Sequence, residues 1–325
     1  MNMENSKTKT FTYWRVRFDP EPNSRTMQSL LSATFDNTHV KDRQYKTSDD
    51  APSFQFINQK SGMKGFFCAN LFGYEEGRIE QIIKANFDKE YVETTALQAG
   101  KGDDGTDQHF LDGKLYFVCF GDHMILCQDQ RIKAEHLERY LHDRIVAINS
   151  SVDRNFRFSL EPSIPLPVRK KISGVKKVEL TSPLPGDSSS NGDGKGTTKI
   201  EKISGLKKVA AALKNLFGSD VNLDAFSTKG FIEDNELQVT LSLKWMNRNR
   251  KESVADQLDA FSNVFRHAGD EFDVKIETDS GTFKNADLRL NVKKSVKHRD
   301  DMPVFDDIVD KMISWYDDLN ARKQI

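Results

Sequence analysis

Three stretches of the sequence have the form of a strand, a tight polar turn and a second strand. The turns are predicted at Ser61-Gly62, at Gly121-Asp122 and at Asp279-Ser280-Gly281. Each turn lies between two short runs that contain the apolar residues typical of strands, and such a pair of runs around a tight turn predicts a β-hairpin. Because hairpins join antiparallel strands, this pattern favours antiparallel sheets over the parallel sheets of repeated βαβ units.

Segments with helical spacing separate these hairpins. The predicted helices are 25–35, 75–87, 133–147, 206–217, 253–267 and 303–319. The predicted strands are 11–18, 54–58, 64–72, 91–96, 115–120, 123–127, 155–160, 236–245, 271–278 and 282–292. The expected class is therefore α+β, with antiparallel β-hairpins packed with helices. Two domains are predicted, 1–162 and 163–325, since Pro162, Pro165 and Pro167 mark a rigid exit from the first.

A nine-residue segment of the sequence is repeated with two substitutions. Residues 170–178 return at 201–209 with seven of nine positions identical. Each copy places lysines around a Ser-Gly pair, where exposed backbone N–H groups and a following helix turn would attract phosphate oxygens. Between the copies, a Pro/Gly/Ser/Asp-rich insert at 181–198 is expected to be flexible. Lysine-rich segments are also common as solvated helix faces, so this alternative stands beside the binding interpretation.

The positive charge is confined to the middle of the chain. The formal net charge is only −1. Residues 169–217 hold 11 Lys and Arg against 4 Asp and Glu, which gives +7, whereas the segments before and after this basic band are both net negative. A local positive field can capture a polyanion even on a neutral protein.

Several other classes of function lack their sequence signals. No Walker loop, dinucleotide-binding glycine motif or nucleophile elbow occurs, so no cofactor is predicted. The seven histidines and three cysteines show no metal-ligand spacing, and no metal site is expected. The polar N-terminus and the absence of a long apolar run predict a cytoplasmic protein with reduced thiols and no membrane insertion.

One fragment matches the end of a divalent-metal nuclease pattern. Asp273 and Lys275 form a D-x-K triplet on a predicted strand, and Asp256 and Asp259 lie upstream on a predicted helix. Two carboxylates holding Mg²⁺ would make a metal-dependent nuclease. Because such triplets are frequent by chance, this enzyme is the alternative hypothesis and a non-enzymatic binding protein is preferred.

Basic residues in the second half of the chain form the predicted binding site. They fall in the basic band, at the end of a predicted strand and after the third hairpin. The candidate nucleic-acid-binding residues are Lys170, Lys171, Lys176, Lys177, Lys202, Lys207, Lys208, Lys244, Arg248, Arg250, Lys251, Lys293, Lys294 and Lys297. Nothing resembles a base-reading helix, so phosphate-directed and weakly selective binding is expected. A module that docks an acidic protein partner is the remaining alternative.

The order of predicted elements is informative from Leu115 onward. It runs through the strand pair around Gly121-Asp122, the helix ending near Ile145, the strand closing in Leu160-Glu161-Pro162, the Lys176-Lys177-Val178-Glu179 stretch, the helix reaching Leu216-Phe217-Gly218, the passage 241–251, the hairpin about Ser280-Gly281 and the last helix. This order resembles that of the RexA family of temperate-phage exclusion proteins, whose architecture is similar to that of RdgC-type DNA-binding proteins. The insert at 181–198 departs from the family pattern.

The resemblance implies a homodimer that binds double-stranded DNA with little sequence preference and acts in phage exclusion or anti-phage defence. A second defence-system protein is an expected partner. By the same resemblance, Lys176, Lys177 and the segment 244–251 would face the DNA.

Overall fold

The chain forms two units in a computed structural model. The structure describes residues 5–19, 25–47, 53–84, 93–101, 107–129, 131–165, 175–183, 226–229, 238–244, 273–284 and 287–325. The first unit comprises Met1–Leu160, Val292–Lys323 and Ile325, and the second comprises Glu161–Asn291 and Gln324. The predicted α+β class, with antiparallel strands and helices, is confirmed.

Most of the described elements belong to the first unit. Its helices are α1 (Met27–Phe35), α2 (Ala134–Ile148) and α3 (Phe305–Ala321), with a 3-10 helix at Val40–Arg43. Its strands are β1 (Asn5–Phe18), β2 (Tyr45–Lys46), β3 (Ser53–Met63), β4 (Phe66–Glu75), β5 (Ile79–Lys84), β6 (Glu93–Gln98), β7 (Leu111–Phe120), β8 (His123–Gln128), β15 (Asn291–Arg299) and β16 (Met302–Pro303). Strand β9 (Phe158–Pro162) begins in this unit and ends in the second.

A large sheet organises the first unit. Among the described residues its order is β16-β15-β1-β8-β7-β4-β3-β2, and β9 pairs with β1. Its central strands carry nearly continuous apolar runs because both faces are covered. Residues such as Phe117 pack with α1 and α2 on one face. On the other face, Tyr316 of α3 contacts Phe66 and Phe120, with ring centroids 5.1 and 5.5 Å away.

The helices of the first unit follow from local sequence signals. In α2, Leu137, Leu141 and Ile145 recur at helical spacing and are fully buried. At the N-terminus of α1, the turn between β7 and β8 supplies an additional cap. The carboxylate of Asp122 accepts a hydrogen bond from the Met27 N–H at 2.8 Å. The same turn therefore closes the hairpin and fixes the start of the helix.

Two predicted local structures in the first unit are wrong. The turn of the first hairpin lies at Lys64 and Gly65, which have φ of 51° and 81°, and not at Ser61-Gly62. Two successive positive φ values match the twist of a two-residue hairpin. The helix predicted at 75–87 is strand β5, which pairs with β6. Its isoleucines favour a strand once a partner strand is present, because tertiary pairing overrides a weak helical period.

The second unit contains a smaller sheet. Its described strands are β10 (Val175–Pro183), β11 (Phe226–Lys229), β12 (Gln238–Lys244), β13 (Asp273–Thr278) and β14 (Gly281–Lys284), in the order β11-β12-β10-β13-β14. The third hairpin is confirmed, but the strand predicted at 282–292 ends at Lys284. The next strand, β15, lies in the sheet of the first unit, so residues 292–323 join that unit although the predicted second domain includes them.

Within the part of the chain that the structure describes, no helix is both long enough and apolar enough to cross a lipid bilayer.

Candidate nucleic-acid interface

The register of the second sheet separates polar and apolar positions onto opposite sides. Strand β12 alternates along Gln-Val-Thr-Leu-Ser-Leu-Lys, and β13 alternates along Asp-Val-Lys-Ile-Glu-Thr. Directly opposed residues in an antiparallel ladder share a face. On the apolar side, Val178 lies opposite both Leu243 and Ile276, and Ile276 is fully buried. This side of the sheet therefore contributes to a core.

The other side of this sheet carries charge, and we call it the lysine face. Its ladder positions include Lys177, Lys229, Lys244, Lys275 and Lys284, together with Glu179, Asp273 and Glu277. Lys177 lies directly opposite Lys244 on the neighbouring strand. Two lysine segments that are far apart in sequence are therefore adjacent in the sheet.

Ion pairs on the lysine face lie along β10, along β13 and between the two strands. The Lys177 ammonium group pairs with the Glu179 carboxylate. The Lys275 Nζ atom lies 3.2 Å from Glu179 Oε2 and 2.8 Å from Glu277 Oε1. The hydrogen bond from Lys177 lowers the pKa of Glu179; partial burial opposes this shift, and Lys275 reinforces it. The carboxylates thus stay ionised and offset part of the positive charge of the face.

The described candidate residues fall in two separate sheets. Lys177 and Lys244 belong to the lysine face, and Lys176 is the extra residue of a bulge between Val175 and Lys177 in β10. Lys293, Lys294 and Lys297 lie on β15 in the first unit, where Lys293 and Lys297 are exposed and Lys294 is half-buried. The other candidates lie outside the described residues: Lys170, Lys171, Lys202, Lys207, Lys208, Arg248, Arg250 and Lys251.

In the first copy of the lysine repeat, 170–178, the Ser-Gly pair is not followed by the helix turn that the sequence predicts. The residues after Gly174 form strand β10 and not a helix turn. A strand is favoured because Val178 and Leu180 recur at the two-residue period of a strand that has partners on both sides. The segment 181–198, predicted to be a flexible insert, begins with three residues of this strand, and its remainder lies outside the described residues.

Two lysines of the face were missed by the sequence prediction. Lys229 ends β11 and Lys284 ends β14. Both strands are only four residues long, and a lysine after a short strand gives no signal until the register is known. The polar-apolar alternation of Gly-Thr-Phe-Lys in β14 is the one signal that could have identified Lys284.

The triplet of the nuclease hypothesis lies on the same face. Asp273 is opposite Thr181 and Lys275 is opposite Glu179. The Lys275 ammonium group is held by two carboxylates, and these raise its pKa, Glu277 more than Glu179. No group of three His, Cys, Asp or Glu side chains able to hold a metal ion occurs in the described part of the chain. Asp256 and Asp259 lie outside it, so the nuclease remains a hypothesis.

The cysteines are packing residues. Cys68, Cys119 and Cys127 are all buried and form no disulfide. Burial raises the pKa of Cys68 and of Cys127 to about 11, and raises that of Cys119 well above its usual value. Thiols with raised pKa values in an apolar setting are poor nucleophiles and poor metal ligands. Cys119 and Cys127 lie on the neighbouring strands β7 and β8.

Neither a family model nor a curated protein matches this sequence.

Proposed function

We propose that this chain binds the phosphate backbone of double-stranded DNA through the lysine face, with little sequence preference. The observation that carries the proposal is the direct opposition of Lys177 and Lys244 on a side of the sheet whose described ladder positions, apart from Pro183, are polar. Lysines attract phosphates as point charges, and binding is driven by the release of the counterions that surround the DNA phosphates. A sheet face of this kind offers no helix to the major groove, which agrees with weak selectivity.

The ion pairs predict how strong this binding is. Glu179 and Glu277 already engage Lys177 and Lys275, so phosphates must compete with carboxylates for these ammonium groups. The described positions of the lysine face include five lysines and three acidic residues. We therefore expect binding at low salt with a shallow salt dependence, equivalent to about two or three phosphate contacts.

A charge-reversal pair tests the site. Lys177→Glu combined with Lys244→Glu should weaken binding to every duplex sequence by about tenfold or more, because it replaces two attractions by two repulsions. The control pair, Lys41→Glu with Lys323→Glu, makes the same charge change at exposed positions of the first unit. Mobility-shift titrations at low salt on duplex DNA, single-stranded DNA and duplex RNA would measure both variants and show which polyanion is preferred.

Two results would overturn the proposal. One is no binding of the wild-type protein to any duplex at low salt. The other is equal weakening by the test pair and the control pair, which would reduce the effect to net charge. A third pair, Lys293→Glu with Lys297→Glu, measures whether the β15 lysines take part.

The biological role that we propose rests on the resemblance to RexA-type proteins. We place the protein in the cytoplasm as a homodimer that binds DNA during phage exclusion, together with a second defence-system protein. Phage plating on cells that produce the wild-type protein or the Lys177→Glu, Lys244→Glu variant tests the link. Equal plating with both would separate exclusion from DNA binding, and light scattering of the purified protein would measure the dimer.

A further inference from the structure

A cavity in the first unit has no part in the proposed DNA interface. Its volume is about 250 Å³, and it opens beside β2, β3 and the start of α2. The aromatic residues Tyr45, Phe54 and Tyr74 line it, together with Arg131, His136 and Arg139. Drug-sized ligand pockets have volumes of roughly 300 to 1,000 Å³, so this cavity suits a somewhat smaller molecule.

The cationic wall of the cavity is fixed by the close approach of a side chain to two glycines. Gly73 and Gly113 are opposed on β4 and β7, and Ile132 packs over both. A Cβ atom at Gly113 would lie 2.7 Å from Ile132 Cγ1, and one at Gly73 would lie 3.1 Å from Ile132 Cδ1. Ile132 therefore anchors the segment that carries Arg131 into α2.

The charges around the cavity do not cancel. Asp112 lines the cavity and forms ion pairs with both Arg78 and Arg131, so a carboxylate is shared by two guanidinium groups. Arg139 makes no hydrogen bond or ion pair with any residue that the structure describes. The cavity thus keeps an uncommitted guanidinium group, the side chain best shaped to grip a phosphate with paired hydrogen bonds.

His136 adds a neutral donor to this wall. Its Nδ1 atom accepts a hydrogen bond from the Lys133 N–H at 3.0 Å, which leaves the proton on Nε2. Burial lowers the pKa of His136, and the nearby Arg139 and Lys133 lower it further against the opposing carboxylates of Glu135 and Asp129. A neutral imidazole with a protonated Nε2 can donate one hydrogen bond to an anion.

Planar rings also line the cavity. Phe54 and Tyr74 are stacked with centroids 5.2 Å apart and an interplanar angle of 18°. His109 stacks on Tyr74 at 4.6 Å and 22°. A flat, rigid stack of this kind favours a planar ligand group over a flexible chain. Gln55, whose amide can donate and accept, also lines the cavity.

From these observations we infer that the cavity binds a nucleoside monophosphate, with the phosphate at Arg139 and Arg131 and the base beside the stacked rings of Phe54 and Tyr74. The site is independent of the lysine face, because its lining residues all belong to the first unit.

Calorimetric titration of the full chain tests the inference. The probes are AMP, GMP, CMP and UMP, with adenosine and inorganic phosphate as controls for the two halves of the ligand. At least one monophosphate should bind saturably and more tightly than either half. Arg139→Ala should weaken that binding by about tenfold or more, because it removes a charge-assisted contact.

Three further variants separate the contributions. Arg154→Ala, at an exposed arginine outside the cavity lining, should leave binding unchanged. Tyr74→Leu should weaken binding of the monophosphate while affinity for inorganic phosphate stays the same. Arg139→Lys should fall between the wild type and Arg139→Ala, since it keeps the charge and loses the planar fork. DNA binding by Arg139→Ala should equal that of the wild type, which distinguishes this site from the lysine face.

The inference fails if none of the four monophosphates binds saturably, if adenosine or phosphate alone binds as tightly as the monophosphate, or if Arg139→Ala and Arg154→Ala behave alike. Arg139 has no partner among the described residues, so the melting temperature of Arg139→Ala should match that of the wild type. If that temperature falls, Arg139→Lys provides the decisive comparison.

Discussion

The two main sheets differ in the polarity of their faces. In the first unit, β4, β7 and β8 are apolar on both sides, because helices cover both faces of the sheet. In the second unit, one side of the sheet is apolar and the other carries lysines and carboxylates. A strand that is buried on both faces has no surface for a ligand. A sheet with one apolar face and one polar face can pack against a core and expose charged side chains at the same time. The difference makes the first sheet a scaffold and the second a candidate binding surface.

The largest predicted effect comes from placing the same charge on each sheet. Val118 of β7 is 1% exposed on the side of α3, whereas Thr282 of β14 is exposed on the lysine face. Val118→Lys should cost about 3 kcal/mol or more, because it buries an unpaired charge. Thr282→Lys should change stability by less than about 0.5 kcal/mol. Denaturant unfolding followed by far-UV circular dichroism measures both, and equal effects would remove the distinction between the sheets.

A smaller effect is expected at a buried hydroxyl in the scaffold. The Tyr140 hydroxyl accepts a hydrogen bond from the Ile57 N–H at 3.0 Å and donates one to the Arg43 carbonyl at 2.7 Å. Tyr140→Phe would leave both backbone groups unsatisfied and should cost about 1 to 3 kcal/mol in the free energy of unfolding. The control is Tyr45→Phe, whose hydroxyl makes no hydrogen bond among the described residues. A loss no larger than that of the control would show that water replaces the hydroxyl.

The smallest predicted effect sharpens the role of the lysine face. Glu179→Gln removes the carboxylate that engages Lys177 and Lys275. We expect DNA affinity at low salt to rise about three- to tenfold, because two ammonium groups become available and a repulsive charge is lost. The matched control, Glu76→Gln, makes the same change at an exposed residue of the first unit. Mobility-shift titration decides the sign, and unchanged or weaker binding would contradict the electrostatic account.

Elements with strong local signals could be predicted from the sequence. The hairpin at Gly121-Asp122, helix α2 and helix α3 each lie within a few residues of their predicted bounds. Their signals are a turn that tolerates positive φ and a long helical period, both of which act between near neighbours in the chain. Strand β5 was predicted wrongly because its pairing with β6 depends on a partner, which a local period does not contain.

The candidate site was predictable only in its parts. Lys177 and Lys244 are conspicuous in their own segments, but their opposition depends on strand register. The pairing of Lys177 with Glu179 was equally hidden, since alternate residues of one strand are neighbours only after the strand forms. The cavity of the first unit gave no sequence signal, because its arginines and rings come from separate elements.

The first unit is built from two chain segments that are separated in sequence by the second unit, and this order has a consequence for synthesis on the ribosome. Its sheet is covered on one side by α3, whose residues are made only after the whole second unit. A hydrogen bond of 3.0 Å from the Leu290 N–H to the Ser163 carbonyl joins the entry and exit of that second unit. The side of the first sheet that packs against α3 therefore stays uncovered until α3 has been synthesised. Folding of the second unit brings Ser163 and Leu290 together, which shortens the loop that must close before α3 can pack on the sheet.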